Sequence, residues 1–164
     1  MSSNSRSNYI TPEGEITLRN ELRYLWRTVR PEWTQRVSDA AKEGDRSENA
    51  EYIYSKKKLR EIDRRVRYLS KRLENIEIVN RVPENQQRVY FGAWVSLEMA
   101  NGVNTYRLVG SDEFDQQPDY ISIDSPLARA LVGKQIGDEV TLSIADQTHI
   151  YILQDVQYKQ PPQE

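Results

Sequence analysis

The sequence predicts an α+β protein in which a long antiparallel helical hairpin is followed by a small domain of strands with one short helix. Two observations lead to this prediction. Apolar residues recur at intervals of three and four through most of residues 11–76, which is typical of helices with one buried face. From residue 93 onward, short apolar stretches alternate with turns rich in Asn, Gly and Asp, which is typical of strands.

The first helix is predicted to begin at Pro12, because Thr11 offers a capping hydroxyl and proline is favoured at the first helical position. Its apolar positions keep to one face and are Leu18, Leu22, Leu25, Val29, Trp33, Val37 and Ala40. Trp26, seven residues before Trp33, is interpreted as a further core or seam residue. Pro31 lacks a backbone N–H, so a kink or short break is expected there. Gly44 is expected to end the helix.

The second helix carries a strict heptad pattern, with apolar or small residues at alternating steps of three and four. These residues are Tyr52, Ser55, Leu59, Ile62, Val66, Leu69, Leu73 and Ile76. The pattern predicts a left-handed coiled-coil seam, and about 30 helical residues give a rod of roughly 45 Å. Because only a few residues separate the helices, they must run antiparallel, with the tip of the hairpin at residues 44–49.

The second half of the chain is predicted to be a separate domain. Residues 81–88 are polar, contain Pro83 and are interpreted as a linker between domains at 1–80 and 89–164. The predicted strands are 93–99, 105–109, 120–123, 139–144 and 150–156. Ser125 is the expected cap of a short helix that begins at Pro126. Nothing in the spacing of this domain indicates a catalytic site.

Several classes of protein are excluded by composition. The chain has no cysteine, which excludes disulfides, thiolate zinc sites and cysteine nucleophiles. It has no apolar stretch long enough for a membrane helix or a secretion signal, so a cytoplasmic location without membrane association is expected. His149 is the single histidine and is expected to have a structural role in a strand. Residues 1–80 carry a net charge of +4 and residues 81–164 carry −6.

The tip of the hairpin concentrates acidic residues. Asp45, Glu48 and Glu51 follow one another at intervals of three, a spacing that brings carboxylates to one helix face. Such a pair can bind a divalent cation through oxygen. From spacing alone, a capping box at Asp45 and Glu48 is the favoured interpretation. The two roles are compatible, because a carboxylate that accepts one N–H keeps lone pairs for a metal.

The second helix is also strongly basic. Residues 52–74 hold nine Lys and Arg against three Asp and Glu. This excess favours an anionic partner, either nucleic acid or an acidic protein channel, over a merely solvated helix face. No helix-turn-helix or zinc-finger spacing accompanies it, which argues against the reading of base sequence.

Three segments resemble one family. Residues 44–52, GDRSENAEY, resemble the tip signature of the bacterial transcript cleavage factors GreA and GreB. Residues 56–69, KKKLREIDRRVRYL, resemble the GreB branch in their density of basic side chains. Residues 124–134, DSPLARALVGK, resemble the family's C-terminal signature. The segments TPEG at 11–14 and RPE at 30–32 also fit, and the similarity extends over about residues 9–158.

This resemblance implies an N-terminal antiparallel coiled coil and a C-terminal domain similar to FK506-binding proteins, without prolyl isomerase activity. It implies a transcription elongation factor that binds RNA polymerase and is not itself an enzyme. The coiled coil would enter the secondary channel, and Asp124, Ser125 and Pro126 would dock at its rim. The factor would stimulate the polymerase's own cleavage of backtracked nascent RNA.

The same resemblance assigns roles to single residues. Asp45 and Glu48 would be the catalytic and metal-binding pair, holding Mg²⁺ only within the polymerase complex. The side chains expected to contact the 3′ segment of the backtracked RNA are Lys56, Lys57, Arg60 and Arg64. The free protein is expected to be a monomer. Two alternatives remain: a regulator that occupies the channel without stimulating cleavage, and a structural coiled-coil adaptor.

Overall fold

The computed structural model describes residues 6–159, which form two compact units. The helical unit comprises residues 15–76, and the globular unit combines the segment before it with residues 77–159. The helices are α1 (Pro12–Tyr24), α2 (Arg30–Ala41), α3 (Ala50–Asn75) and α4 (Pro126–Leu131). The strands are β1 (Tyr9–Ile10), β2 (Glu77–Ile78), β3 (Trp94–Met99), β4 (Gly102–Val109), β5 (Tyr120–Ser122), β6 (Glu139–Ile144) and β7 (Gln147–Gln157). The α+β class predicted from the sequence is confirmed. Among the residues described, no helix is both long and apolar enough to span a bilayer.

The α1 and α2 helices are joined by a π-helical turn, Leu25–Val29, rather than by a break. The backbone N–H of Arg30 donates to the carbonyl of Leu25, five residues earlier. Pro31, next in sequence, has no N–H to donate, and a wider turn before it accommodates the missing hydrogen bond. The irregularity expected at Pro31 therefore takes the form of this π turn and not of a break, and the chain stays helical from Pro12 to Ala41.

The heptad pattern of α3 does form a packed seam against the first helical segment. Ser55, Ile62 and Leu69, spaced by seven residues, are buried. Leu18 and Ala40 of the first helical segment are also buried. The packing of α2 against α3 confirms the helical hairpin predicted from the spacing.

Trp26 is an exception to the predicted core. Its side chain is 57% exposed, whereas Trp33 is half-buried and its ring lies edge-on to Tyr54 at 5.8 Å. A regular α-helix would place residues seven apart on one face, but the π turn adds a residue between them and shifts the phase. The interpretation of Trp26 as a core or seam residue is therefore wrong.

The sequence patterns did not predict the short pair of strands β1 and β2. They run parallel, with Tyr9 opposite Glu77 and Ile10 opposite Ile78. Their pairing assigns residues 9–14 and 77–80 to the globular unit, so the unit boundary falls at 76/77 and not at residue 80. Two-residue strands have no period to detect, which is why the predicted domain 1–80 extended too far.

The main sheet has five strands in the order β5-β4-β3-β7-β6. All neighbours are antiparallel except β4 and β5, which run parallel. The α4 helix begins at Pro126 as predicted, and the hydroxyl of Ser125 accepts a hydrogen bond from the N–H of Ala128 at 3.2 Å. The core between helix and sheet consists of Val89, Ala93, Val95, Leu97, Leu108, Ala128, Leu131, Val140, Leu153 and Val156. His149 lies half-buried in β7 and stacks on Tyr151 at 6.4 Å, consistent with a structural role.

A buried carboxylate anchors the start of α1 within the globular unit. Glu113 is fully buried and accepts hydrogen bonds from the N–H of Thr11 at 3.0 Å and the N–H of Gly110 at 2.7 Å. The hydroxyl of Thr11 donates to the same carboxylate and accepts from the N–H of Gly14, completing the predicted cap. A side chain at position 14 would collide with Glu113, since a Cβ there would lie 1.9 Å from its Oε1. Gly14 is therefore required by close packing.

Candidate functional site

The tip is the loop of residues 42–49, which connects α2 to α3. Asp45 organises it: its Oδ1 accepts from both the N–H and the hydroxyl of Ser47, each at 3.0 Å. The carbonyl of Asp45 accepts from the N–H of Glu48 at 3.2 Å. Asp45 and Glu48 are thus held in one tight turn, with both side chains exposed.

The two hydrogen bonds from Ser47 also fix the ionisation state of Asp45. The backbone N–H of Ser47 is the larger influence and its hydroxyl the second, and together they lower the pKa of Asp45 below its usual value. Both bonds stabilise the charged carboxylate. Asp45 is therefore an anion at neutral pH.

The helix cap at the tip is Asn49, and not Asp45. Asn49 has an extended backbone, and its Oδ1 accepts from the N–H of Tyr52 at 3.1 Å. Its Nδ2 donates to the carbonyl of Ala40 at 2.6 Å, so one side chain satisfies groups on both helices. The capping-box interpretation of Asp45 and Glu48 is wrong, because both precede the cap. An Asn directly before a helical pattern was the overlooked signal.

The acidic pair therefore has oxygens to spare for a cation. In the described part of the chain, the hydrogen bonds of Asp45 engage Oδ1 alone, and the carboxylate of Glu48 accepts none. Carboxylate oxygens suit Mg²⁺, which usually takes one or two of them along with water and phosphate oxygens. Within residues 6–159, no group of three or more His, Cys, Asp and Glu side chains is arranged to hold a metal. The two carboxylates are of the ligand type that Mg²⁺ takes, and they supply part of its coordination.

A basic stripe runs along the exposed face of α3. It consists of Lys57, Arg60, Arg64, Arg67 and Lys71, all exposed, at alternating steps of three and four. Lys56, beside the stripe, is half-buried. The nearby carboxylates pair elsewhere: Glu61 contacts Lys58 at 3.9 Å, and Asp63 contacts Arg30 at 2.7 Å.

The four cations predicted to contact RNA therefore keep their charges available. In the region from residue 6 to residue 159, none of them forms an ion pair with this chain's own acids. They are Lys56, Lys57, Arg60 and Arg64. At ~1.5 Å per residue, the basic stripe extends over roughly 20 Å of helix. A surface of this kind favours an extended polyanion.

The predicted docking residues all have local structural roles as well. A carboxylate oxygen of Asp124 accepts from the N–H of Ser7 at 3.0 Å, and its own N–H donates to the hydroxyl of Ser122 at 3.1 Å. Ser125 caps α4. Pro126 is exposed at the first position of that helix, which leaves its ring available to a partner.

Comparison with known proteins finds two family models that match successive parts of the chain. A family model for the N-terminal region of transcription elongation factors matches residues 8–78. A second model, for the C-terminal region of transcription elongation factors GreA and GreB, matches residues 84–158. Together the two matches cover most of the chain.

Individual relatives agree with the family models. The chain is 55% identical to the transcription elongation factor GreB of Yersinia pestis over 156 residues, which is 94% of this chain and 91% of that protein. It is 58% identical to GreB of Haemophilus influenzae over 137 residues, 83% of this chain and 87% of that one. The crystal structure of GreA factor homolog 1 from Thermus thermophilus aligns over 93% of this chain and 99% of its own, at 20% identity and a TM-score of 0.42. The chain belongs to the GreA/GreB family of transcription elongation factors, and it activates RNA cleavage by RNA polymerase without being an enzyme itself.

Proposed function

We propose that the helical unit enters the secondary channel of RNA polymerase and brings Asp45 and Glu48 to the polymerase catalytic centre. There the two carboxylates would complete a Mg²⁺ site whose remaining ligands come from the polymerase and the RNA. The observation that carries this proposal is the tip itself. It offers two exposed carboxylates in one turn, and the hydrogen bonds from Ser47 keep that of Asp45 ionised. Among the described residues, the tip by itself has too few ligands to hold a metal.

The chemistry divides between the ion and the protein. The Mg²⁺ ion of this site, when bound, activates the attacking water and neutralises the charge that develops at the scissile phosphate. Asp45 contributes its free Oδ2, while Ser47 fixes its orientation through Oδ1. Glu48, held in the same turn, would contribute a carboxylate oxygen to the ion as well and help orient the attacking water. Asn49 keeps the loop rigid by bonding to Ala40 and Tyr52.

A pH profile tests the role assigned to Ser47. Ser47→Ala removes the hydroxyl donor but keeps the backbone N–H, so the pKa of Asp45 should rise part of the way towards its usual value. A carboxylate with a raised pKa becomes protonated at higher pH, so the titration midpoint of Asp45, followed by NMR of its carboxyl carbon in the free protein, should move to higher pH. Ser38→Ala, an exposed serine of α2, is the matched control. Identical titration midpoints of Asp45 in the Ser47 variant and the wild type would contradict this role.

The basic stripe is proposed to hold the extruded 3′ segment of the backtracked RNA through its phosphates. Lys56, Lys57, Arg60 and Arg64 carry the charges assigned to this contact, which depends on counterion release and weakens as salt rises.

Replacing Lys57, Arg60 and Arg64 with Ala should reduce cleavage of deeply backtracked complexes by about tenfold, because roughly three phosphate contacts are lost. Shallow complexes, whose extruded RNA does not reach the stripe, should change little. The rate is measured as a function of salt and backtrack depth. Lys58→Ala and Arg36→Ala are the controls, since Glu61 and Glu32 neutralise those cations within the chain. A triple variant with wild-type rates at every depth would exclude RNA contact by the stripe.

Docking at the rim of the channel is proposed to involve Asp124, Ser125 and Pro126. Pro126→Ala is the cleanest test, because Ser125 also caps α4 and its loss alone would cost about 1 kcal/mol of stability. The expected result is a several-fold loss of affinity for RNA polymerase with an unchanged cleavage rate at saturation. Pro118→Ala, another exposed proline of the globular unit, serves as the control. Equal affinities for the two variants would place docking elsewhere.

Cleavage of RNA in halted, backtracked complexes tests the proposal as a whole. RNA polymerase is the partner, so we propose that the chain works in the cytoplasm and is a monomer when free. Adding the purified protein should accelerate transcript cleavage at saturating Mg²⁺, while the protein alone cleaves nothing. A cleavage rate that does not change when the protein is bound would contradict the tip mechanism proposed here. A failure to bind polymerase would contradict entry into the channel.

A further inference from the structure

The helical unit contains an open groove that the proposed mechanism does not use. It has a volume of about 400 Å³. We call it the Trp26 groove, and its lining residues are Arg19, Leu22, Arg23, Trp26, Arg27, Val66 and Ser70. Leu22 and Val66 give this groove, at what we call its floor, an apolar lining, and its three arginines supply positive charge. No residue of the basic stripe belongs to the lining, so the two surfaces are distinct.

The charge of the groove is uniformly positive. Arg19 is paired with Glu15 on the same helix. Arg23 and Arg27 are exposed, and neither has a carboxylate partner in the described portion of the chain. No acidic residue lines the groove. A ligand with carboxylates would therefore meet two free guanidinium groups, which bind carboxylates bidentately.

Trp26 is the second, independent feature. It lies within the π turn Leu25–Val29, and this turn carries its indole off the coiled-coil seam and into the groove. Single π turns inside α-helices occur frequently at functional sites. An indole that is 57% exposed beside two arginines has the composition typical of an interface anchor.

We infer that the Trp26 groove is a docking site for an acidic segment of an RNA polymerase subunit that also carries an apolar side chain. The inference rests on the proposed function, because it takes RNA polymerase as the partner. An inserted apolar side chain would cover Leu22, Val66 and Trp26, while its acidic neighbours bind Arg23 and Arg27.

The features of the groove favour protein over RNA as the occupant. RNA bases need open aromatic faces on which to stack. The guanidinium of Arg30 already lies over the Trp26 ring, 5.3 Å from its centroid, and covers one face. The aliphatic floor offers contacts suited to an amino-acid side chain. The basic stripe, by contrast, is open and polar along its length, as a polyanion requires.

Affinity measurements test this docking site. Trp26→Ala and the double variant R23Q/R27Q are each expected to bind core RNA polymerase, free of nucleic acid, about tenfold more weakly than the wild type. Their cleavage rates at saturating factor should match the wild type. Arg36→Gln is the matched control, because Arg36 also lies over a tryptophan, Trp33, but outside the groove. Wild-type affinity in both groove variants, or an equal loss in the control, would overturn the inference.

Crosslinking identifies the occupant directly. Benzoylphenylalanine placed at position 26 should crosslink to an Asp/Glu-rich peptide of a polymerase subunit, located by mass spectrometry. A crosslink confined to RNA, or none in the bound complex, would overturn the inference. Cleavage stimulation by the wild-type protein, measured alongside, distinguishes failure of the groove proposal from failure of the proposed function. If stimulation is normal and no subunit crosslinks, the groove proposal alone fails. If stimulation is absent while the subunit crosslinks, the proposed function fails.

Discussion

Replacing Asp45 with Asn will abolish stimulated RNA cleavage while leaving the affinity for RNA polymerase within a few-fold of the wild type. The substitution is nearly isosteric, and the amide oxygen can still accept the two hydrogen bonds from Ser47. The negative charge is lost, and a neutral amide oxygen is a far poorer ligand for Mg²⁺ than a carboxylate. A fall of about 100-fold or more in the stimulated rate is expected when a metal ligand of this kind is removed.

The measurement is transcript cleavage in halted complexes, at factor concentrations above and below saturation. Glu43→Gln is the matched control, because Glu43 is another exposed carboxylate of the tip loop but lies outside the Asp45–Glu48 turn. It should retain most of the wild-type rate. If Asp45→Asn lost affinity as severely as activity, or if Glu43→Gln were equally inactive, Asp45 would be structural or one of several interchangeable charges.

The dependence of the cleavage rate on Mg²⁺ concentration should show that Glu48 helps to hold the ion. Glu48→Gln leaves Asp45 anchored by Ser47, so a partial ligand set remains. Raising the Mg²⁺ concentration should therefore restore part of the cleavage lost in this variant, since weaker binding is offset by mass action. The affinity for polymerase should not depend on Mg²⁺ in either variant.

Long periodic segments of this chain were predictable, and single turns were not. The heptad pattern of α3 predicted its buried residues, because the seam depends only on spacing: Ser55, Ile62 and Leu69 are buried as expected. The exposure of Trp26 was not predictable, since a π turn inserts one residue into an otherwise regular period. The prediction that Trp26 lies in the core or seam was wrong because it continued the regular helical period through this turn.

The residue that caps α3 at the tip was likewise not predictable from spacing alone. Its composition indicated the acidic pair, but spacing favoured a capping box at Asp45 and Glu48. In the structure Asn49 is the helix cap, and Asp45 forms a separate turn with Ser47. Several side chains there can cap, and which one does so depends on where α2 ends, because Asn49 also bonds to Ala40. Asn49 directly before a helical pattern was a local signal for the cap, but its contact with Ala40 joins two helices and leaves no such signal in the sequence.

Glu113 is the most consequential residue that the sequence did not reveal, and replacing it with Ala should lower the free energy of unfolding by about 3–5 kcal/mol, because three neutral donors lose their acceptor. Glu113 is fully buried and satisfies the N–H groups of Thr11 and Gly110, along with the hydroxyl of Thr11. Alanine would leave these donors without an acceptor and open a cavity. Each unsatisfied buried donor costs about 1–3 kcal/mol.

Glu113→Gln should cost less, about 1–3 kcal/mol, because its amide keeps one acceptor oxygen but turns an NH₂ towards the donors. Glu98→Ala is the control. The Glu98 carboxylate is exposed and, among the described residues, bonds only to the Gln154 side chain, so its loss should stay within about 0.5 kcal/mol. Urea unfolding gives the energies, and amide hydrogen exchange locates the effect. Exchange should accelerate first at Thr11 and Gly110, whose N–H groups donate to this carboxylate. A Glu113→Ala protein as stable as the Glu98 control, with both amides still protected, would mean that water replaces the carboxylate and that the start of α1 is held by β1 and β2 instead.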